Sequence, residues 1–342
     1  MTSQNSVGKR PKAILLYSGG LDSSIVLYFL LSIGVDVVPV TFTTPFCNYD
    51  LNGDAYASVV ANVKKLGLNV RNVDLGNEYL GLLRSPKHGF GSAANPCIDC
   101  RILMLKRAKK VLEAECADFI ATGEVMGQRP FSQSREKFEL IDREAGVEGL
   151  VVRPLSGKFL PETLACKKGL IAKEDLFEIK GKTRTSQIQL ARELNIEKYA
   201  APAGGCLLTE PAFGKRFKDL KKFKPDFSME DVILLRFGRH FRIDEKNKII
   251  VCRHQVENET IRNYLSEHDV LFEVLDNIGP LCVYFGDLTH DSMKKAATYA
   301  VSYSKAPKDR PSNVKFSNLR GTLMEILVAS PMSMEEMHKK MV

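Results

Sequence analysis

Two groups of residues in this chain are of types and spacings that can do chemistry. The first is Ser18-Gly19-Gly20-Leu21-Asp22-Ser23-Ser24. The apolar run Ala13-Ile14-Leu15-Leu16-Tyr17 before it reads as a buried parallel strand. After it, Ile25, Val26, Phe29, Leu30 and Ile33 recur at helical spacing up to Gly34. A strand, a glycine turn and a helix start make an anion cradle. N–H groups at a helix N-terminus point outward, and the glycines let a phosphate approach the main chain. A bare Gly-Gly pair could equally be an ordinary βα turn, but the full string between strand and helix favours phosphate.

The second group is cysteine. Asn95-Pro96-Cys97-Ile98-Asp99-Cys100 opens a helix running to Leu112, with Asn95 as N-cap and Pro96 as the first helical residue. The helix dipole, Arg101 and Lys106 would favour thiolates there. A zinc site wants four ligands, and no second Cys-x-x-Cys is present. A thioredoxin-type pair and two inert thiols are the other readings. Cys206 follows Ala203-Gly204-Gly205, so nothing bulky guards it from a ligand; a structural cysteine in a tight turn is the plainer alternative. Cys116, Cys252 and Cys282 lie in apolar settings and read as small core residues.

The elements that must position these groups alternate. Strands are expected over Val35–Thr43, Leu68–Val73, Asp118–Thr122 and from Val151, with a helix over Tyr56–Leu66. This alternation predicts an α/β fold, a doubly wound parallel sheet, with a smaller C-terminal α+β domain. Ligands of such sheets lie at the carboxyl ends of the strands, where the opening loop, Thr41, Phe42, Thr122 and Gly123 would meet. Asn77–Ala94 reads as a mobile loop carrying a surface His88. Arg153 and Lys158 could face a triphosphate, an RNA backbone or an exposed acid. Ile179-Lys180-Gly181-Lys182-Thr183 fails as a Walker loop, because Leu176 stands where a glycine is needed.

The chain has 342 residues, 44% hydrophobic and 26% charged, with a formal net charge of +8, so two globular domains with an affinity for polyanions are expected. No apolar run reaches the roughly 18 residues a membrane helix needs, and Met1–Lys12 lacks a signal-peptide core, so a cytoplasmic protein without a membrane partner is expected. Lys215, Arg216, Lys218, Lys221 and Lys222 interleave with Phe217 and Phe223. That run is either a solvated helix face or a phosphate-contacting one. Beyond Pro225, Val232–Ile243 and Lys248–Arg253 read as a hairpin bearing Arg236, Arg239, His240, Arg242 and Arg253. The expected divisions are an arm at 1–11, a catalytic domain at 12–213, a basic linker at 214–228, an α+β RNA-binding domain at 229–312 and a helical tail at 313–342.

Ser18–Ser23, Asn95-Pro96-Cys97 to Cys100, Ala121-Thr122-Gly123, Arg153-Pro154-Leu155 and Gly204-Gly205-Cys206 occur in an order that resembles the tRNA thiouridylases. These are ATP-pyrophosphatase (PP-loop) enzymes, including the catalytic domain of 4-thiouridine synthetases, and the match covers about residues 12–215. The later module is similar to NFACT-type RNA-binding domains, chiefly through Leu235-Arg236-Phe237-Gly238-Arg239-His240-Phe241 and the Ala296–Ser304 helix. The chain departs from full-length 4-thiouridine synthetases in showing no preceding THUMP-type domain and no following rhodanese-like domain.

The resemblance implies an enzyme that cuts ATP to AMP and diphosphate while thiolating a tRNA uridine at its 2- or 4-position. ATP would lie on Ser18, Gly19, Gly20, Leu21, Asp22 and Ser23, with Thr41, Phe42, Thr122 and Gly123 near it and Asp22 beside Mg2+. The resemblance gives catalytic roles to Asp22, Cys97 and Cys206. Sulfur, from sulfide or a persulfide carrier protein, would travel by one of two routes. Cys206 carries a persulfide resolved by Cys97, or Cys97, Cys100 and Cys206 hold a [4Fe–4S] cluster, which the presence of Cys100 favours. Lys215, Arg216, Lys218, Lys221, Lys222, Arg236, Arg239 and Arg242 would contact tRNA. Two other functions fit fewer residues: a PP-loop enzyme acting on a small molecule, which gives the basic segments no role, and an RNA-binding protein whose ATP site is not catalytic, at odds with an intact Asp22 and Ser23. The cluster route predicts a brown protein with about four irons per chain after anaerobic purification. A colourless protein with Cys97 and Cys206 cross-linked would select the persulfide route.

Overall fold

The computed structural model describes residues 10–44, 46, 60–196, 199 and 206–342. The expected arm, the Ala201–Gly205 approach to Cys206 and the first residues of the expected 56–66 helix lie outside these; residues 60–64 are helical. The chain forms two units, Met1–Leu207 and Leu208–Val342.

The first unit is built on five parallel strands: β1 (Lys12–Leu16), β2 (Asp36–Thr43), β3 (Arg71–Asp74), β4 (Phe119–Thr122) and β5 (Val151–Val152), in the order β3-β2-β1-β4-β5. The order reverses between β1 and β4, which makes their carboxyl ends the switch point where doubly wound sheets bind ligands. Ala13, Ile14 and Leu15 are wholly buried, as strands covered on both faces require. The helices that matter for the site are α1 (Leu21–Ser32), α2 (Gly76–Arg84), α3 (Cys97–Ala114), α4 (Arg135–Ala145) and α5 (Thr185–Glu193). α1 is buried on most sides, with Ile25, Val26, Leu27 and Leu30 in the core.

Four expectations fail here. Residues 76–84 form α2 instead of part of a mobile loop, because Tyr79 and Leu83, four apart, are both buried. His88 is held inward: its N–H donates to Asp99 (3.0 Å) and its ring lies 3.2 Å from a Glu144 carboxylate oxygen. α3 starts at Cys97 with no side-chain cap, so Asn95 is free to turn toward the sulfur of Cys97. Cys116 is exposed; it takes a left-handed φ of 47° where the chain leaves α3. Cys252 and Cys282 are buried as expected, and burial pushes the Cys252 thiol up to about 12.

The second unit contains α6 (Pro211–Phe223) and α7 (Met229–Leu234). Its six strands are β6 (Arg239–Arg242), β7 (Lys248–Val251), β8 (Val270–Val274), β9 (Cys282–Phe285), β10 (Ser312–Asn318) and β11 (Met324–Ala329). They form an antiparallel sheet in the order β11-β10-β8-β9-β7-β6. One face is covered by α8 (His290–Tyr303) through Met293, Ala296, Ala297 and Ala300; Phe237, Ile250, Ile261 and Val283 form a second cluster. The expected linker is α6, a helix of this unit with Phe213, Phe217 and Leu220 buried. The expected helical tail is largely sheet: β10 and β11 precede α9 (Met334–Lys339), and the last residues pair with β6 through Arg242 N–H to Lys340 O (2.9 Å) and Val342 N–H to His240 O (3.0 Å).

The expected strand from Val232 is also replaced. Ser228 accepts from Asp231 N–H (3.2 Å) and Asp231 accepts from Ser228 N–H (2.8 Å), a reciprocal capping box that starts α7. Gly238, at φ +59°, then turns the chain into β6. A side chain at Gly238 would meet the Val251 carbonyl at 2.5 Å. Ser228→Ala should cost about 1 kcal/mol of local stability, read as faster native-state hydrogen exchange across residues 229–251. Unchanged exchange would show that the cap contributes nothing.

Candidate functional site

The Ser18–Ser24 loop leaves β1 and enters α1, as expected. Gly19 takes φ +71°, and Gly20, which has no side chain to offer, caps the helix without a side-chain hydrogen bond. Serine hydroxyls hold the loop's shape. Ser23 Oγ donates to Gly20 O (3.0 Å), accepts from Ser18 N–H (3.3 Å) and lies 3.2 Å from Ser18 Oγ. Gly123, just past β4, lies against this turn so closely that a Cβ there would stand 2.7 Å from Ser23 N and 2.8 Å from the Asp22 carbonyl carbon. Glycine is required by contact with backbone, which cannot move aside.

Thr41 and Thr122 are at this edge but face the protein. Thr41 Oγ1 donates to Tyr17 O (2.8 Å) and Thr122 Oγ1 to Glu124 (3.1 Å); both residues are buried. Their hydroxyls thus brace the loop and the end of β4. Phe42 is buried as well.

Asp22 projects from the first turn of α1. Its Oδ2 accepts from Gln128 Nε2 (3.1 Å), and Gln187 Nε2 in turn reaches Gln128 Oε1 (3.4 Å). Its Oδ1 is buried without a hydrogen-bond partner. Burial raises the carboxyl's pKa, offset only in part by Gln128 and Arg184. An orphaned, desolvated carboxylate oxygen beside a phosphate cradle suits a hard divalent cation, so Asp22 fits the Mg2+ that ATP carries.

The cysteines meet at a residue that sequence reading missed. Tyr79, in α2 just past the carboxyl end of β3, is 2% exposed; burial and the nearby Cys100, Cys206 and Cys97 together drive its phenol pKa well up. Its hydroxyl hydrogen-bonds Cys100. Phe46, packed 5.4 Å from the Tyr79 ring, accepts Leu207 N–H at its carbonyl (2.9 Å), which brings Cys206 in. Asn95 Nδ2 donates to Cys97 Sγ (3.1 Å). Cys97, Cys100 and Cys206 thus all lie in the neighbourhood of this phenol, and three thiols are the soft donor type that a three-cysteine [4Fe–4S] cluster would need. Among the described residues, however, no three His, Cys, Asp or Glu side chains are arranged to hold a single metal ion. Nothing in the local sequence marks Tyr79, because its spacing with Leu83 is that of any core-facing helix.

Arg153 also departs from expectation. Its side chain lies 3% exposed, bidentate on Asp142 (2.7 and 2.8 Å), with Nε on Glu124 (3.1 Å) and its guanidinium 4.2 Å from the Phe138 ring centre. Arg101, expected near the thiolates, instead binds the other Glu124 oxygen (3.0 Å). Burial alone would raise the Glu124 pKa, but Arg101, Arg153 and Thr122 outweigh it and keep the carboxyl below its usual range. A cavity of about 330 Å³ adjoins this network and is lined by α4, β5 and residues 160–166, without the loop or the three cysteines.

In the second unit the expected RNA-facing cations divide. Lys215, Lys218 and Lys222 of α6 are exposed; Lys221, Arg236 and Arg239 are half-buried, Arg239 over the Tyr303 ring. Arg216 donates to Leu235 O (2.7 Å), and Arg242 is bidentate on Asp219 (2.6 and 3.0 Å), with Lys248 on the same carboxylate (2.8 Å). These two arginines hold α6 against the α7–β6 region, a structural task the sequence does not reveal. His240 is buried, and burial with the nearby cations keeps it neutral, so it adds no positive charge.

Because burial raises the Asp22 pKa above its unfolded value, the folded state binds that proton more tightly than the unfolded chain. Ionised Asp22 therefore subtracts stability as pH rises through and above the ordinary aspartate range, reaching its full penalty above the raised pKa. Asp22→Asn should leave the melting temperature at pH 7 unchanged or higher and lower diphosphate release from ATP by about 100-fold or more. A melting temperature that falls along with activity would mean that Asp22 is structural.

Residues 8–164 match the family model described as "Thiamine biosynthesis protein (ThiI)", and residues 238–341 the one described as "NFACT protein RNA binding domain". The chain is similar to a tRNA-specific 2-thiouridylase MnmA of Malacoplasma penetrans, 21% identical, covering 94% of this chain and 92% of that one. It is also 22% identical to a probable tRNA sulfurtransferase of Thermococcus kodakarensis, over 44% of this chain and only 38% of that protein. Among solved structures, a 4-thiouridine synthetase–RNA complex with bound ATP is 22% identical, covering 66% of this chain and 52% of that one at a TM-score of 0.36. The U34-tRNA thiolase NcsA from Methanococcus maripaludis with its [4Fe-4S] cluster is 20% identical, covering 67% and 74% at a TM-score of 0.35. No helix among the described residues is long and apolar enough to cross a membrane. The parallel-sheet unit thus matches a ThiI domain over most of its length, and the antiparallel-sheet unit matches an NFACT-type RNA-binding domain.

Proposed function

We propose that the chain is an ATP-dependent tRNA sulfurtransferase that converts a uridine carbonyl into a thiocarbonyl. One observation carries this reading: the phosphate loop and the three cysteines are placed by segments that follow the carboxyl ends of β1, β2, β3 and β4, hence along one sheet edge. A nucleotide-activating group and a sulfur-bearing group on one edge suit a reaction that needs both. The family matches, one to a ThiI domain and one to an RNA-binding domain, support the same reading.

The chemistry divides between the two groups. The Gly19–Ser23 backbone would hold the triphosphate and Asp22 its magnesium. The uridine carbonyl oxygen attacks the α-phosphorus, the bond to diphosphate breaks, and the base is left O-adenylated. AMP is a far better leaving group than oxide, so adenylation makes the carbon open to sulfur. In the persulfide route, the terminal sulfur on Cys206 attacks that carbon and expels AMP. The Cys97 thiolate then attacks Cys206 Sγ, releasing the thiocarbonyl and leaving a Cys97–Cys206 disulfide for an external thiol to reduce. In the cluster route, Cys97, Cys100 and Cys206 would hold the iron, which supplies an open position for sulfide. In either route Asn95 would hold the Cys97 sulfur through its N–H···S bond, with the Tyr79 phenol beside Cys100.

The exposed Lys215, Lys218 and Lys222, with Arg236 and Arg239, form the tRNA-binding surface in this reading. The sulfur donor is sulfide or a persulfide carrier, and the place of action is the cytoplasm. The test is mass spectrometry of nucleosides from digested tRNA. A strain lacking the gene should lose one thionucleoside. The intact gene should restore it and Cys206→Ala should not. An unchanged set of thionucleosides would refute the proposal.

A further inference from the structure

Glu124 and Gly123 are consecutive, yet they touch the two halves of the site. Gly123 seats on the Asp22–Ser23 backbone, where no side chain fits. Glu124 turns the other way and binds Arg101 Nε (3.0 Å), and Arg101 lies on the helix that begins with Cys97. Residues 97 and 101 are four apart on α3 and share a face. An anchor at Arg101 therefore fixes which way Cys97 faces and how far it lies from β4. The second carboxylate oxygen of Glu124 binds Arg153 Nε (3.1 Å), which Asp142 holds from α4. The Glu124 side chain is 4% exposed and that of Arg153 3%. Two guanidinium groups are matched by two carboxylates, so the network is neutral, with Glu124 and Arg153 buried and Arg101 and Asp142 partly exposed.

Such a network is poor at adding stability, since desolvating the charges offsets most of their attraction and apolar residues of similar volume do as well. What it provides is placement: charge-assisted, directional bonds accept one arrangement of α3, α4, β4 and β5. We propose that Glu124 is a positioning residue that couples the two half-sites, so that filling the phosphate loop is felt, through Gly123 and Glu124, at the Cys97 end of α3. This rests on the reading of the Ser18–Ser24 loop as an ATP site and of the cysteines as the sulfur site. It adds a residue that touches neither ATP nor sulfur. Its predicted signature is loss of coordination between the two steps with each half-site otherwise intact.

The test uses the full chain and two variants. Arg101→Met cuts the tie to α3 and leaves the Glu124–Arg153 pair; the Arg101 side chain is 27% exposed, so folding should survive. Glu124→Gln keeps the shape and removes the charge. Hydrogen–deuterium exchange is followed with and without a non-hydrolysable ATP analogue. In the wild type the analogue should slow exchange both in residues 18–24 and in the first turns of α3. In Arg101→Met it should slow exchange in 18–24 only. In the enzymatic arm, Arg101→Met should keep its diphosphate release within about threefold while thionucleoside formation falls by about 100-fold, the effect of a misplacement of roughly 1 Å. A merely structural defect would lower both together. Protection of 18–24 without any change at α3 in the wild type would overturn the coupling and leave the ATP reading intact. No protection of 18–24 would overturn both. A folded Arg101→Met with wild-type protection of α3 and an unchanged ratio of diphosphate to thionucleoside would also overturn the coupling. If Glu124→Gln folds, matching Arg101→Met supports the coupling, and wild-type behaviour overturns it.

Discussion

The tightest constraint in the first unit is the approach of the chain after β4 to the turn before α1. Gly123 meets backbone atoms of Asp22 and Ser23, so the two connections at the switch point of the sheet are stacked on each other. Parallel strands place both connections at the same edge by topology alone, but topology does not set their separation. The missing side chain at 123 does. With those two segments in contact, Thr41 and Thr122 are enclosed and their hydroxyls bond inward, and Asp22 keeps one buried carboxylate oxygen without a hydrogen-bond partner.

From that contact the buried ion network extends to the next elements. Glu124, Arg101, Arg153 and Asp142 lie on four different segments, and each guanidinium has a carboxylate partner. The second unit uses the same device around Asp219, which takes both Arg242 and Lys248. In both units cations that look available in the sequence are engaged inside. The cations of α6 that stay on the surface are therefore fewer than the sequence suggests, namely Lys215, Lys218 and Lys222 with the half-buried Lys221. A basic helix with a buried aromatic face serves both purposes: Phe213, Phe217 and Leu220 bind it to its own unit while Lys215, Lys218 and Lys222 point outward.

The cysteine site shows how chemistry can be assembled from segments with little in common. Cys97 and Cys100 come from the start of α3 and Cys206 from a distant turn, and both reach the same phenol because Phe46, beyond β2, binds Leu207 while packing on Tyr79. The phenol is buried, and burial with the nearby thiols raises its pKa, which keeps it protonated beside sulfur. Burial thus makes an otherwise ordinary core tyrosine part of the site.

Sequence alone determined whatever depends on local spacing. The apolar run, glycine pair and helical periodicity of residues 13–34 dictate a strand, a cradle and a helix, and repetition of that pattern dictates a parallel sheet with its ligands at one edge. The cysteine spacing and the basic residues of the second half were equally plain in the sequence, and they raised the expectations of soft ligands and a polyanion partner. The α7 capping box was equally local, in Ser228 and Asp231, and was masked by the β-branched and apolar run from Val232. What only the tertiary structure decided is partnership at long range. Whether Arg153 meets phosphate or Asp142, whether Arg242 faces solvent or Asp219, whether Tyr79 is plain core or a donor to sulfur, and whether residues 313–342 are helix or sheet all depend on which groups desolvate one another after the chain has folded. A charge in sequence has no partner until burial makes one necessary, and a strand such as β10 has no reason to form until β8 offers its free edge.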